Sequence, residues 1–151
     1  MLETIIGYTI AILIYSPINI FIHECGHAFF VKVFGGDIKN IHIGIGEPLF
    51  KRGNIIINKY FFMFGLAEFE STSLKINNKF TQFLIGIGGV LFNVISLVIV
   101  ILIFNLYDPG HFLKGYYIGF TSFLIFSALI PVTYPHGYDS DGKLIMKLFK
   151  K

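Results

Sequence analysis

The residues with the most chemistry in them stand at positions 23 to 27, His23-Glu24-Cys25-Gly26-His27. On a helix, side chains four apart lie one above the other on a single face. Two imidazoles at that spacing can bind one Zn²⁺. Glu24 sits about 100° round the helix from His23, within reach of a metal-bound water, and as general base it would take that water's proton. Catalytic zinc usually takes three protein ligands and keeps a position for water. A third His, Asp or Glu is therefore expected elsewhere in the chain. Asp141, in Ser140-Asp141-Gly142, is the first candidate, with Asp139, His136, Glu68 and Glu70 as rivals. Cys25 points to another helix face, and Gly26 suits close helix packing.

These groups interrupt an apolar chain. Of 151 residues, 54% are hydrophobic and only 14% charged, and the mean hydropathy is +0.72. A soluble domain of this size needs more charge to keep its surface wet. A charged side chain inside a bilayer costs roughly 2.5–3.5 kcal/mol on insertion scales, and such residues are functional by default. Three stretches, about 5–34, 80–106 and 116–134, are long enough to cross a bilayer, which takes roughly 20 apolar residues. The expected fold is thus an α-helical integral membrane protein with three transmembrane helices. Pro17 is expected to kink the first. The N-terminal segment has neither a positive n-region nor a small-residue cleavage site, so its apolar run reads as a retained span.

A segment of different character, about 36–69, separates the first two spans. Ile41, Ile43 and Ile45 alternate with His42 and Gly44. A second run, Asn54 to Tyr60, leads into the aromatic stretch Phe61 to Gly65. Turn signals stand at 46–48 and 51–53. This reads as a small antiparallel β-sheet at the membrane surface. A polar run, 70–79, leads into the second span. No repeat or low-complexity tract is present, and the whole chain, 1–151, reads as a single membrane-embedded core.

Charge sets the expected topology. Lys32, Lys39, Lys51, Arg52, Lys59, Lys75 and Lys79 lie at the end of the first span or after it, and Lys143, Lys147, Lys150 and Lys151 follow the third. Only Lys114 lies between spans two and three. The positive-inside rule then puts the long loop and the C-terminus in the cytoplasm and the N-terminus outside. The single cysteine excludes an internal disulfide framework. No basic stripe with interleaved aromatics points to nucleic acid.

Asn93 is the remaining polar residue in a span. It lies about 20 Å into the second helix from the cytoplasmic side and His23 about 17 Å into the first, at 1.5 Å per residue. At that depth it either binds hydrogen bonds between helices or serves the site, orienting substrate or a developing oxyanion.

Three elements in order resemble the site-2 protease family of intramembrane zinc metalloproteases. They are His23-Glu24-Cys25-Gly26-His27; Gly89-Val90-Leu91-Phe92-Asn93, similar to a Gly-Pro-x-x-Asn element with Val90 at the proline; and Pro131 through Asp141-Gly142, similar to a Pro-rich element ending in Asp-Gly. The third element is longer than usual and has Ala128 where an Asn is common. The resemblance implies one Zn²⁺ per chain on His23, His27 and Asp141, with Glu24 as base and Asn93 assisting substrate. It also implies a membrane-protein or membrane-bound peptide as substrate, within a prokaryotic cell membrane. The sheet would offer an edge for an unwound substrate to join as a strand. Two other readings compete: a gluzincin-type membrane protease with Glu68 or Glu70 as third ligand, and a non-catalytic membrane metal-binding or immunity protein. Neither the substrate nor the oligomeric state is legible.

Overall fold

The computed structural model describes residues 1–107, 111–134 and 137–150, with the side chains of residues 111 and 112 left aside. The order is α1 (Leu2–Ile10), a π-helical turn (Ala11–Tyr15), α2 (Ser16–Val33), β1 (Ile38–Arg52), β2 (Ile55–Phe69), α3 (Lys79–Tyr107), α4 (His111–Leu129) and α5 (Asp141–Phe149).

α1, the π-turn and α2 form one continuous helix, Leu2–Val33. Pro17 stands in its first α2 turn. A proline ring clashes with the carbonyl four residues back and gives no N–H to it. The widened π-turn just before Pro17 is where the helix absorbs that conflict. Leu2–Val33 and Lys79–Tyr107 are both long and apolar enough to cross a membrane. The most apolar windows of these helices are only 28% and 22% buried within the protein. Ile12, Leu13, Ile14, Val98, Ile99 and Leu102 all point outward. Meanwhile the largest fully buried side chains are Val31, Asn19, Asn93, Thr81, Thr121 and Ser16, all but one of them polar. Apolar outside and polar between helices is the arrangement that lipid selects.

The third expected span differs. Its helix runs 111–129 instead of 116–134, and its apolar stretch is the shorter Leu113–Leu129. Pro131 explains the early end: proline disfavours helical geometry in the residue before it and cannot continue the ladder.

α2 and α3 touch at Gly26 and Gly88. A Cβ on Gly26 would run into the Gly88 carbonyl, and one on Gly88 would lie 2.6 Å from the Gly26 carbonyl. Only glycine lets the two backbones approach so closely. Below this crossing, Val31, Leu74 and Ile85 form a small core with Phe30, Phe34, Ile38 and Phe69 packed round it.

The two strands pair antiparallel where 38–43 meets 65–69 and where 50–52 meets 55–57, but each is bent, so that 41–43 also lies beside 55–57 in parallel register. Ile41 and Ile43 pair with Ala67 and Gly65 on one side and with Ile55 and Ile57 on the other. The far end of β1, Phe50 to Arg52, pairs with Ile55 to Ile57 as a hairpin closed at Gly53. The pairing breaks between Ile45 and Pro48, where Gly44 and Gly46 take positive φ. The turn expected at 46–48 is thus a bend within one strand. The chain order across the sheet is 65–69, 38–45, 55–58, 48–52. Its free edges are therefore the last part of β2 and the far end of β1. Ile41–Ile43 lies inside.

Candidate metal centre

α2 carries His23, Glu24 and His27; α3 lies across it; α5 begins at Asp141. His23 Nε2 is 3.0 Å from Asp141 Oδ2, and His27 Nε2 is 3.4 Å from Asp141 Oδ1. One donor atom from each residue falls within 4.8 Å of the others. A tetrahedral metal with bonds of about 2 Å needs its donors roughly 3.3 Å apart. Two neutral imidazole nitrogens and one carboxylate, nearly closed on a common centre, fit Zn²⁺. The three side chains keep 15, 12 and 12% of their surface exposed, so the centre is largely shut from bulk water.

Local chemistry holds each donor. His27 Nδ1–H donates to the Ile85 carbonyl of α3 at 2.7 Å. A carbonyl can only accept, so Nδ1 carries the proton and Nε2 offers its lone pair to the centre. Asn93, 1% exposed, lies 3.3 Å from His23 Nδ1 through its amide group. If His23 Nε2 is to be a ligand, Nδ1 must carry the proton. The two ends of an amide are interchangeable in shape. With Oδ1 turned to His23 it accepts from Nδ1–H, and an oxygen otherwise buried without a partner gains one. Gly89 lies directly against the same ring: a Cβ there would be 2.5 Å from His23 Nε2.

Asp141 is fixed by the start of α5. Ser140 caps that helix, accepting from Lys143 N at 3.2 Å and Val132 N at 3.1 Å and donating to the Ile130 carbonyl at 2.6 Å. Asp141 is then the first helical residue, where the helix dipole favours a carboxylate. Asp139 faces away. Lys147 (2.5 Å), Lys143 (3.3 Å) and Thr133 (2.6 Å) surround it. Hydrogen bonds from Lys147 and Thr133 hold its carboxyl well below the usual carboxylate range. Glu68 accepts from Asn40 at 2.8 Å with His42 3.4 Å away, and this company lowers its pKa. Glu70 pairs with Lys39. Neither glutamate joins the histidines, which removes the geometric basis of the gluzincin reading. Among the described residues the cluster of potential ligands is His23, His27 and Asp141; His136 lies outside the described residues. Cys25 is a free, half-buried thiol outside that cluster.

Glu24 is 5% exposed. β2 is laid against it: a Cβ on Gly65 would be 2.6 Å from Glu24 Oε1, and the Ala67 main-chain N–H interacts with its carboxylate. Ser16 Oγ donates to the Phe62 carbonyl at 2.7 Å, tying the same strand to α2. A groove of about 1480 Å³ opens here, lined by Glu24, both histidines, Asp141, Phe62 to Ala67 of β2 and Phe120 and Leu124 of α4.

Sequence reasoning passed over one groove residue. Asn19, one helical turn before His23, is fully buried and lines the groove. The signal was visible, because an asparagine in an apolar helix at i−4 from a ligand falls on the ligand's face.

The pattern of peptidase family M50 matches residues 8–146 of this chain. An uncharacterized membrane protein of Bacillus subtilis (strain 168), YwmF, is 33% identical over 140 residues, which cover 91% of this chain and 86% of the relative. No solved structure matches.

Proposed function

The chain belongs to peptidase family M50, and on that premise we propose that it is an intramembrane zinc metallopeptidase that cuts membrane-spanning or membrane-bound proteins. One observation carries the reading. His23 and His27 meet Asp141, more than a hundred residues away in the chain, with their donor atoms turned inward and Glu24 beside them. Three spans, α4 being the third, would enclose the site, with the N-terminus outside and the β-sheet and α5 on the cytoplasmic side.

Zinc, when bound, supplies an electrophile that acidifies water towards a pKa of about 7 and polarises the scissile carbonyl. The chain's own groups do the rest. His23, His27 and Asp141 hold the ion. Asn93 and the Ile85 carbonyl keep each imidazole in the ligating tautomer. Glu24 takes the proton of the attacking water and passes it to the leaving amine. The Ala67 N–H keeps that carboxylate turned to the site. An unwound substrate segment lies along the free edge of β2 from Gly65 to Phe69, with side chains in the groove. Ile41–Ile43 is paired on both sides and offers no such edge.

The test compares membrane-protein fragments in cells making wild-type or Glu24→Gln protein, and the zinc content of purified Asp141→Ala. Fragments should vanish with Glu24→Gln while zinc stays, and Asp141→Ala should lose zinc. If Glu24→Gln keeps full biological activity, a non-catalytic metal-binding protein is the better description.

A further inference from the structure

The groove wall on the α1 side of His23 is short of polar groups, and an unwound peptide brings many. Inside an apolar site each main-chain N–H needs an acceptor. Phe62, Phe64, Phe120 and Leu124 give none from their side chains. The Ser16 hydroxyl gives its proton to the Phe62 carbonyl, which leaves its oxygen as the one other side-chain acceptor there, and Asn93 is turned to His23.

Asn19 is different. Its Nδ2 donates to the Tyr15 carbonyl at 2.8 Å, which fixes which end of the amide is which. Oδ1 is thus a committed acceptor, and it is buried without a partner in a side chain that lines the groove. A buried acceptor left unmatched costs stability. An apolar residue of the same shape would avoid that cost, so the group is retained for something that arrives. Asn19 stands one turn, about 6 Å, from His23. An extended chain advances about 3.3 Å per residue, so an N–H roughly two residues from the scissile bond meets Oδ1.

We propose that Asn19 is a substrate-binding residue whose Oδ1 accepts a main-chain N–H from the unwound segment. This rests on the groove being the substrate site. It also sets a selectivity: a segment still helical, with its N–H groups bonded internally, gains nothing from Asn19. Thr121 is a control. Its hydroxyl is likewise buried without a partner, but its side chain is not part of the groove lining.

The experiment uses Glu24→Gln protein in lipid nanodiscs, so that binding is read without hydrolysis. Two labelled peptides of about 20 Leu and Ala residues are titrated, one interrupted centrally by Gly-Asn-Pro and one uninterrupted. Adding Asn19→Leu should weaken binding of the interrupted peptide about tenfold, leave the uninterrupted one unchanged, and not lower Tm. Thr121→Val should leave both affinities unchanged; Asn19→Ala serves if leucine prevents folding. Equal binding of the interrupted peptide with and without Asn19→Leu overturns the proposal. So does no saturable binding of it, or an equal loss for both peptides. Failure of the protease reading would show separately, as an unaltered fragment pattern with Glu24→Gln in cells.

Discussion

At the scale of single residues, the site is a set of donors whose orientation depends on neighbours outside the donor set. Gly89 is the sharpest case. A methyl there lands on His23 Nε2, so Gly89→Ala should swing the ring off the centre. Zinc affinity, measured by competition with a chelating dye, should fall about 10- to 100-fold; unchanged affinity would show that the ring has room to move. Asn93→Leu keeps the volume and removes the acceptor for His23 Nδ1–H, and a loss of similar size is expected. Asp139 works at one remove. Lys147, Thr133 and Lys143 lower its pKa, so it favours the folded state above the ordinary carboxylate pKa of about 4. That contribution fades as pH falls towards its lower folded value. Asp139→Asn should therefore cost most stability at pH 7 and progressively less as the pH falls below about 4, seen as Tm curves that draw together towards acid. His23, Glu24 and His27 were legible because their spacing matches the helix repeat. Asp141 was a candidate among rivals, because nothing in its spacing says where Asp139 points; that is decided by two lysines on α5.

At the scale of elements, the helices were read nearly to the residue where composition dominates and missed where punctuation does. The first two apolar helices end within three residues of the stretches expected for them at every terminus. The third was displaced by five at each end because apolar residues past Pro131 look like span but cannot be helix. The sheet was legible as alternation, but its pairing was not. Alternation gives the faces of a strand and says nothing of which neighbour lies on either side. Ile41 to Ile43 proved central, and the free edge beside Glu24 belongs to Gly65–Phe69. That edge makes its own prediction. Ile41 N–H donates to the Asn54 carbonyl on the other side of β1, so its pairing with Ala67 is a non-hydrogen-bonded one and the Ala67 N–H points outward, to the edge beside Glu24. Proline is tolerated at such an outward position of an edge strand. Ala67→Pro should keep the fold and the zinc while cutting the rate of substrate cleavage about tenfold or more. Loss of zinc alongside would mean that the strand holds the centre together and does not merely present substrate and base.

At the scale of the whole molecule, the chain is turned inside out relative to a soluble domain. Asn93, Thr81 and Thr121 are buried between helices and Asn19 is turned to the groove, while isoleucine and leucine face outward. The comparison with a bacterial membrane protein agrees with that surface. Composition alone made this much readable, since 54% hydrophobic residues cannot be hidden in 151. Orientation is a separate matter, because no packing contact distinguishes one side of a bilayer from the other. It rests on the basic residues: eleven of the twelve lie at 32–79 or 143–151 of the chain, and Lys114 stands alone near the start of α4. The single cysteine makes this directly testable. In a Cys25→Ser background, Lys114→Cys should react with a membrane-impermeant maleimide added to intact cells. Lys75→Cys, at the sheet end of the molecule, should react only after the membrane is opened. The reverse pattern would put the catalytic groups near the outer face and make extracellular segments the substrates. Labelling of both from outside would mean that α4, with its short apolar stretch, does not cross at all.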